Sequence, residues 1–142
     1  MVIKSFMNYA IDNGIEIAVK PQNEDNSKDA IKFDKDGLHF VFLYNKEKDP
    51  NFFELALPYI DDFDQNNTRQ FNKIVTMTKD YKTGKVIIST GNHVNLTFEQ
   101  YVFSYENLNK LFEQGIGCLE AMIKDYRRAK ISSKNFSEDI QK

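Results

Sequence analysis

The 142-residue sequence predicts one α+β domain with an antiparallel sheet, in the order helix–three strands–helix–two strands–helix. Three observations lead to this prediction. Apolar residues recur at helical spacing near both ends of the chain and around residue 74. Between these segments they alternate with polar residues, as in strands that have one buried face. The dipeptides Asp36-Gly37 and Gly91-Asn92 suit tight turns, so the strands flanking each of them are expected to pair antiparallel.

The first helix is predicted over residues 2–13, and a short edge strand follows it over residues 15–19. The helix prediction rests on an apolar stripe, which ends before a glycine that suits a helix C-terminus. The stripe and this glycine are Ile3, Phe6, Met7, Ala10, Ile11 and Gly14. The strand prediction rests on the alternation of Ile15, Ile17 and Val19. Residues 21–29 are mostly polar and are predicted to form a loop.

The clearest strand signal surrounds Asp36-Gly37. A two-residue type I′ turn at this point pairs Phe33 with Phe40. One face of the hairpin is then apolar and is predicted to be buried, with Ile31, Phe33, Leu38, Phe40, Phe42 and Tyr44. The opposite face of the second strand carries His39, Val41 and Leu43, and its apolar residues need a cover. A third strand is predicted over residues 52–60, where Phe53, Leu55, Leu57 and Tyr59 alternate.

A second helix is predicted over residues 67–81, capped by Asn67 or Thr68. Its apolar stripe is predicted to be Phe71, Ile74, Val75 and Thr78. Strands over residues 86–90 and 93–103 then flank Gly91-Asn92, which suits a type II′ turn. This turn pairs Ile87 with Leu96 and Ser89 with Val94. One face of the hairpin is predicted to be buried, with Ile87, Val94, Leu96, Phe98 and Val102. The other face, with His93, Asn95, Thr97 and Glu99, is predicted to be solvated.

The last helix is predicted to begin after Ser104, a good N-cap residue. Its apolar stripe extends over five turns through Leu108, Leu111, Phe112, Leu119, Met122, Ile123 and Tyr126. Gly115 and Gly117 are unfavourable inside a helix, so they predict close packing or a kink at that point. The periodic pattern stops near residue 131. The domain is therefore predicted to span residues 1–131, and residues 132–142 to form a disordered C-terminal tail.

Charge and composition argue against nucleic-acid and membrane partners. The chain has 19 Lys and Arg residues against 21 Asp and Glu residues, a net charge of −2. We find no signal peptide, and no apolar run approaches the roughly 18 residues of a membrane span. Cys118 is the only cysteine, which excludes an internal disulfide. These features predict a cytoplasmic protein.

The chemistry-bearing residues do not form a known catalytic or metal-binding motif. His39 and His93 have no neighbouring ligand at metal-binding spacing, and Cys118 is predicted to be a small core residue. Asp61, Asp62 and Asp64 are acidic enough for Ca²⁺, but the glycine and glutamate that an EF-hand register requires are missing. We therefore expect no catalytic residue, no cofactor and no bound metal.

The segment 71–103 carries a family resemblance. A helix ends there in Tyr81-Lys82-Thr83-Gly84-Lys85-Val86, a hairpin follows, and a long amphipathic helix closes the domain. This passage resembles the bacterial YbjN-like proteins, and the element order over residues 1–130 is similar to that of class I type III secretion chaperones. The resemblance implies a protein-binding or chaperone-like domain without catalytic residues. It also implies a homodimer, because the resembling secretion chaperones are dimers.

These observations lead to the hypothesis of a non-enzymatic protein-binding domain, chaperone-like for a client protein. Two alternatives stay open, namely an inhibitor or immunity protein that binds a toxin or an enzyme, and an enzyme whose site the motifs do not reveal. Apolar side chains on the far face of the sheet and on the second helix are the candidate protein-interface residues: Val41, Leu43, Phe71, Ile74 and Val75. A second copy of the chain is expected to cover some of them.

Overall fold

An antiparallel sheet of six strands carries three helices on one of its faces. The computed structural model describes residues 2–19, 28–45 and 47–141, without the side chains of residues 19, 28, 29 and 130–141. Its elements are α1 (Val2–Asp12), β1 (Glu16–Val19), β2 (Lys28–Lys35), β3 (Leu38–Asn45), β4 (Phe52–Asp62), α2 (Thr68–Asp80), β5 (Gly84–Ile88), β6 (His93–Tyr101) and α3 (Leu108–Gln141). The strand order is β1-β2-β3-β4-β6-β5, so β4 and β6 are neighbours although α2 and β5 separate them in sequence.

The fold class predicted from the sequence is confirmed, and the segment after the first helix is indeed a strand. β1 is the edge strand next to β2, and Ile17 faces the core while Glu16 does not. Residues 21–27 of the predicted loop lie outside the described residues, while 28 and 29 belong to β2. α3 extends over residues 132–141, but its side chains there are not described, so the disordered tail stays a prediction.

Aromatic rings fasten the helices to the inner face of the sheet, the face that the helices cover. Phe6 of α1 stacks on Phe42 of β3 with ring centroids 4.3 Å apart. The ring of Phe112, from α3, meets Phe6 edge-on at 5.1 Å and contacts Phe53 of β4 at the same distance. All four rings are fully buried. Edge-to-face and offset contacts of this kind are favourable beyond the apolar area that they bury, so this cluster fixes α1 and α3 on the sheet.

Gly115 lets α3 approach the sheet closely. A Cβ atom at this position would lie 2.7 Å from Cδ1 of Phe98 and 2.8 Å from Cδ1 of Leu55, both of which are buried. Gly117 differs, because a Cβ atom there meets nothing within 4 Å. The close packing predicted from the two glycines is therefore confirmed at Gly115 and wrong at Gly117.

The predicted register of the second hairpin is wrong by one residue. Val86, not Ile87, lies opposite Leu96, and Ile88 lies opposite Val94. The loop has three residues instead of two, because Ser89 pairs with His93 through the 3.0 Å bond from its backbone N–H to the carbonyl of His93. Asn92 takes the left-handed conformation at φ 58°, as the last residue of a three-residue loop commonly does. Consequently Ile87 points away from the core.

The predicted stripe of the second helix is also displaced. α2 buries Gln70, Ile74 and Met77, whereas Phe71 is 54% exposed and Val75 is 51% exposed. The buried residues follow helical spacing as well as the predicted stripe does. The sequence pattern did not reveal this face because one of its members, Gln70, is polar. Asn67 is the N-cap, with its side chain accepting from the backbone N–H of Gln70.

Two local features shorten or bend the predicted elements. The alternation along β4 ends at Tyr59, where the register with β6 shifts and φ is 51°, so the Tyr59 side chain is exposed. Ser104 does not cap α3, which begins four residues later at Leu108. The Ser104 hydroxyl instead accepts a 3.3 Å bond from the backbone N–H of Glu106.

Candidate functional site

The face of the sheet opposite the helices is the candidate functional site, and we call it the outer face. The described helices pack on the inner face, to which the strand residues of the hydrophobic core point, among them Phe42 of β3, Leu55 of β4 and Leu96 of β6. The outer face includes Lys32, Asp34, His39, Val41, Leu43, Phe52, Glu54, Ala56, Lys85, Ile87, His93, Asn95, Thr97, Glu99 and Tyr101. An antiparallel sheet with one uncovered face normally has polar residues there, so the apolar members of this set stand out.

Small residues form the floor of the outer face and larger residues surround it. Ala56 lies opposite Val41 on one side and Thr97 on the other, and both Ala56 and Thr97 are buried. Val41 is half-buried and Leu43, its neighbour along β3, is exposed. The centre of the outer face is therefore apolar, and we call Val41, Leu43 and Ala56 the apolar patch.

A pair of aromatic residues lies at one end of the outer face. Phe52 and Tyr101 lie directly opposite each other on β4 and β6, with ring centroids 5.0 Å apart. The chain continues to Phe103, whose ring centroid is 6.4 Å from that of Tyr101 and which is 91% exposed. Large aromatic side chains are enriched at protein–protein interfaces, where they supply much of the binding free energy.

Two carboxyl groups lie side by side between the apolar patch and the aromatic pair. Glu54 on β4 faces Glu99 on β6 in register. Lys85 of β5 binds Glu99, with 2.6 Å between Nζ and Oε2. Partial burial, and then the neighbouring Glu99 carboxylate, raise the pKa of Glu54 above its usual value. Like charges directly opposite each other on a sheet are unfavourable, so this arrangement is costly for the isolated fold.

Thr97 adds a buried hydroxyl group to the same region. The residue is only 4% exposed, and its Oγ1 atom has no hydrogen-bond partner among the residues that the structure describes. The prediction of a solvated face for this strand is wrong at Thr97, because Ala56 and Lys85 flank it in the sheet. A buried hydroxyl without a partner costs free energy, and such groups are uncommon in folded proteins.

The predicted interface residues divide between two surfaces. Val41 and Leu43 belong to the outer face, as their position in the strand indicates. Phe71 and Val75 lie on the solvent side of α2, a helix that packs on α3 and β5. Ile74 is 9% exposed and belongs to the core, so a charged residue there would disrupt the fold itself.

A separate polar network connects α2, α3 and β4. Tyr126 donates its hydroxyl proton to Asp61 at 2.6 Å, and the Gln70 amide donates to the Tyr126 oxygen at 2.9 Å and to the Asp62 carbonyl at 2.7 Å. Burial, and then the bond to Asp61, raise the pKa of Tyr126 far above its usual value. The pocket beside these residues has a volume of about 50 Å³, room for one or two waters. Since the groups satisfy one another, the network is best explained as a structural brace.

The histidines and the cysteine are not brought together. His39 and His93 belong to the outer face. His39 binds Asp34, and the ring of His93 contacts that of Tyr59 in a tilted arrangement with ring centroids 3.9 Å apart. Cys118 is on α3, on the inner side of the sheet, half-buried with its sulfur 3.9 Å from that of Met122. Burial raises the pKa of the Cys118 thiol, which disfavours the nucleophilic thiolate.

Comparisons of this chain with protein-family models, with curated proteins and with solved structures gave no match. Within residues 2–19, 28–45 and 47–141, no three His, Cys, Asp or Glu residues whose side chains are described are grouped as they would be to hold a metal ion. No helix in the same residues is long and apolar enough to cross a membrane.

Proposed function

We propose that this chain is a non-enzymatic protein-binding domain and that the outer face is its binding surface. The observation that supports the proposal is the apolar patch of this face, together with Phe52 and Tyr101 at one end of the face, covered by none of the described helices. Contiguous apolar surface on a folded protein is typical of sites that bind other proteins. The cytoplasmic location and the chaperone-like role expected from the sequence belong to the same proposal.

The combination of features on the outer face suits a polypeptide better than a small molecule. The apolar patch and the carboxyl and aromatic pairs beside it are spread over three adjacent strands, β3, β4 and β6. Small-molecule sites are usually concave and bury most of their ligand, whereas protein interfaces are broad, with an apolar centre and a polar rim. Lys32, Lys85 and Asn95 supply polar side chains around the centre.

The proposal is tested with two alanine substitutions that remove equally exposed aromatic rings. Tyr101, on the outer face, is 51% exposed, and Phe71, on α2, is 54% exposed. The tagged wild-type chain, Tyr101→Ala and Phe71→Ala are used to capture partners from cells that express the protein. We expect a partner bound by wild type and by Phe71→Ala to be lost with Tyr101→Ala.

Two results would contradict the proposal. A partner held equally by all three forms would show that neither ring contributes to binding. A partner lost only with Phe71→Ala would transfer the binding surface to α2. Circular dichroism of each form provides the control for folding, which should be unchanged because both rings lie at the surface.

A further inference from the structure

The part of the outer face between the apolar patch and the Phe52–Tyr101 pair has more negative than positive charge. Glu54 and Glu99 face each other across β4 and β6, and Lys85 binds Glu99 directly. Lys32 is on the same face but lies beyond β3, opposite Val41. Around the carboxyl pair there are thus two acidic groups and one directly bound cation, inside a frame of apolar side chains.

We propose that the outer face binds an arginine side chain of a partner protein, with its guanidinium group between the carboxyl groups of Glu54 and Glu99. The inference rests on the proposed function and specifies the chemistry of the partner. Apolar residues of the partner, on either side of its arginine, cover two residues of β3. These are Leu43, which lies opposite Glu54, and Val41, which lies opposite Ala56.

Arginine fits this position better than any other side chain. Its planar group offers five N–H donors in a fixed fork, which match two neighbouring carboxylates, and a partner cation removes the repulsion between them. Phe52 and Tyr101 are the next residues on this face along β4 and β6, so their rings are placed for the stacking that guanidinium groups make with aromatics. Thr97 lies next to Glu99 on the other side, and its buried hydroxyl oxygen, which has no hydrogen-bond partner among the described residues, is an unsatisfied acceptor beside the carboxyl pair.

A second copy of this chain is a poor occupant of the outer face. Two outer faces related by a twofold axis near Glu54 would bring four carboxyl groups together. The arginines of the chain are Arg69 on α2 and Arg127 and Arg128 on α3, none of which belongs to the sheet. A self-association that brought them to Glu54 would join a helix surface of one copy to the sheet of the other, which is a different contact from two outer faces meeting each other.

The test begins with a phage library of random peptides, selected on the immobilised full-length chain. We expect the selected peptides to be enriched in one arginine flanked by apolar residues. The best peptide is then synthesised in three forms, with arginine, with lysine and with citrulline, which has the shape of arginine without its charge. Calorimetry on the wild-type chain should show at least about tenfold weaker binding of the citrulline form, with the lysine form in between.

The matched variants are Glu54→Gln combined with Glu99→Gln, and Glu113→Gln on the exposed side of α3 as the control. The double variant should bind the arginine peptide at least about tenfold more weakly, and the control should bind it as wild type does. The double variant should also keep its fold, because it removes a repulsion and, at Lys85, only an exposed ion pair.

Peptides selected without arginine, or equal binding of the arginine and citrulline forms to the wild-type chain, would overturn the inference. Peptides that the double variant binds normally would do the same. If those peptides are lost on Tyr101→Ala, the outer face is still the binding surface and only the arginine inference fails. If no substitution on the outer face weakens peptide binding, the proposed function fails as well.

Discussion

Replacing Gly115 by alanine should leave the protein less stable than the same replacement at Gly117, two residues further along α3. Each substitution removes the same helix-propensity penalty of about 1 kcal/mol, so this contribution cancels in the comparison. What remains is steric. The added methyl group at position 115 would lie under 3 Å from the buried side chains of Phe98 and Leu55, and at position 117 it meets nothing within 4 Å.

The expected difference in unfolding free energy is the cost of overpacking a close-packed core, about 1–3 kcal/mol. Phe98 and Leu55 are buried on all sides, so they cannot give way towards solvent. For a chain of this size, the two melting temperatures should then differ by about 3–4 °C per kcal/mol. Gly117→Ala should itself melt above the wild-type protein, because it gains propensity and creates no contact.

Guanidinium chloride unfolding followed by circular dichroism measures the effect, with the same denaturant slope required for all three forms. Equal midpoints for the two variants would refute the reasoning, since they would show that α3 can move away from β4 and β6 without cost. A lower midpoint for Gly117→Ala than for Gly115→Ala would show that the helix is oriented differently.

Three further predictions concern the polar brace, an ion pair and self-association. Tyr126→Phe should lower the unfolding free energy by about 1–3 kcal/mol in denaturant titrations, because Asp61 loses a buried donor; an unchanged midpoint would contradict the brace. The hydrogen bond from Lys73 lowers the pKa of Asp125. This bond therefore stabilises the folded protein at a pH above the ordinary carboxyl pKa, and the stabilisation is lost as the pH falls through the lowered pKa. Asp125→Asn should therefore be less stable than wild type at pH 7, with the deficit shrinking below about pH 4, and a constant deficit would count against this. The wild-type protein is predicted to be a homodimer, so light scattering should give twice the monomer mass of 16.6 kDa, and Phe71→Glu should give the monomer mass. A monomer mass for the wild-type protein at tens of micromolar would contradict this prediction.

The sequence predicted the elements whose signals are local. Asp36-Gly37 fixed the register of β2 and β3, since the turn and the alternation agree, and the predicted pairing of Phe33 with Phe40 is present. Gly91-Asn92 did not fix the register of β5 and β6, because this dipeptide fits a two-residue loop and a three-residue loop equally well. The backbone hydrogen bond between Ser89 and His93 shows that the loop is the longer one. A shift of one residue then turned Ile87 from the inner to the outer face.

The candidate site was only half predictable. Alternation along β3 placed Val41 and Leu43 correctly on the outer face. The carboxyl pair was not found, because Glu54 and Glu99 meet only through the pairing of β4 with β6, and no turn in the sequence joins these strands. Gln70 was missed for a related reason, since its buried partner Tyr126 comes from a distant helix and a polar residue gives no apolar periodicity.

The position of the two shortest strands decides how this sheet can meet other chains. β1, with four residues, and β5, with five, occupy the two edges, while β4, with eleven, lies inside. An edge strand exposes free backbone donors and acceptors and is a template for the addition of further strands, which is how sheets aggregate. Here each edge offers only a few residues, the register of β1 is irregular between Ile17 and Val19, and Lys85 places a charge on β5. Growth of the sheet by strand addition is therefore disfavoured at both edge strands. This leaves the outer face, and not an edge strand, as the surface for the proposed partner.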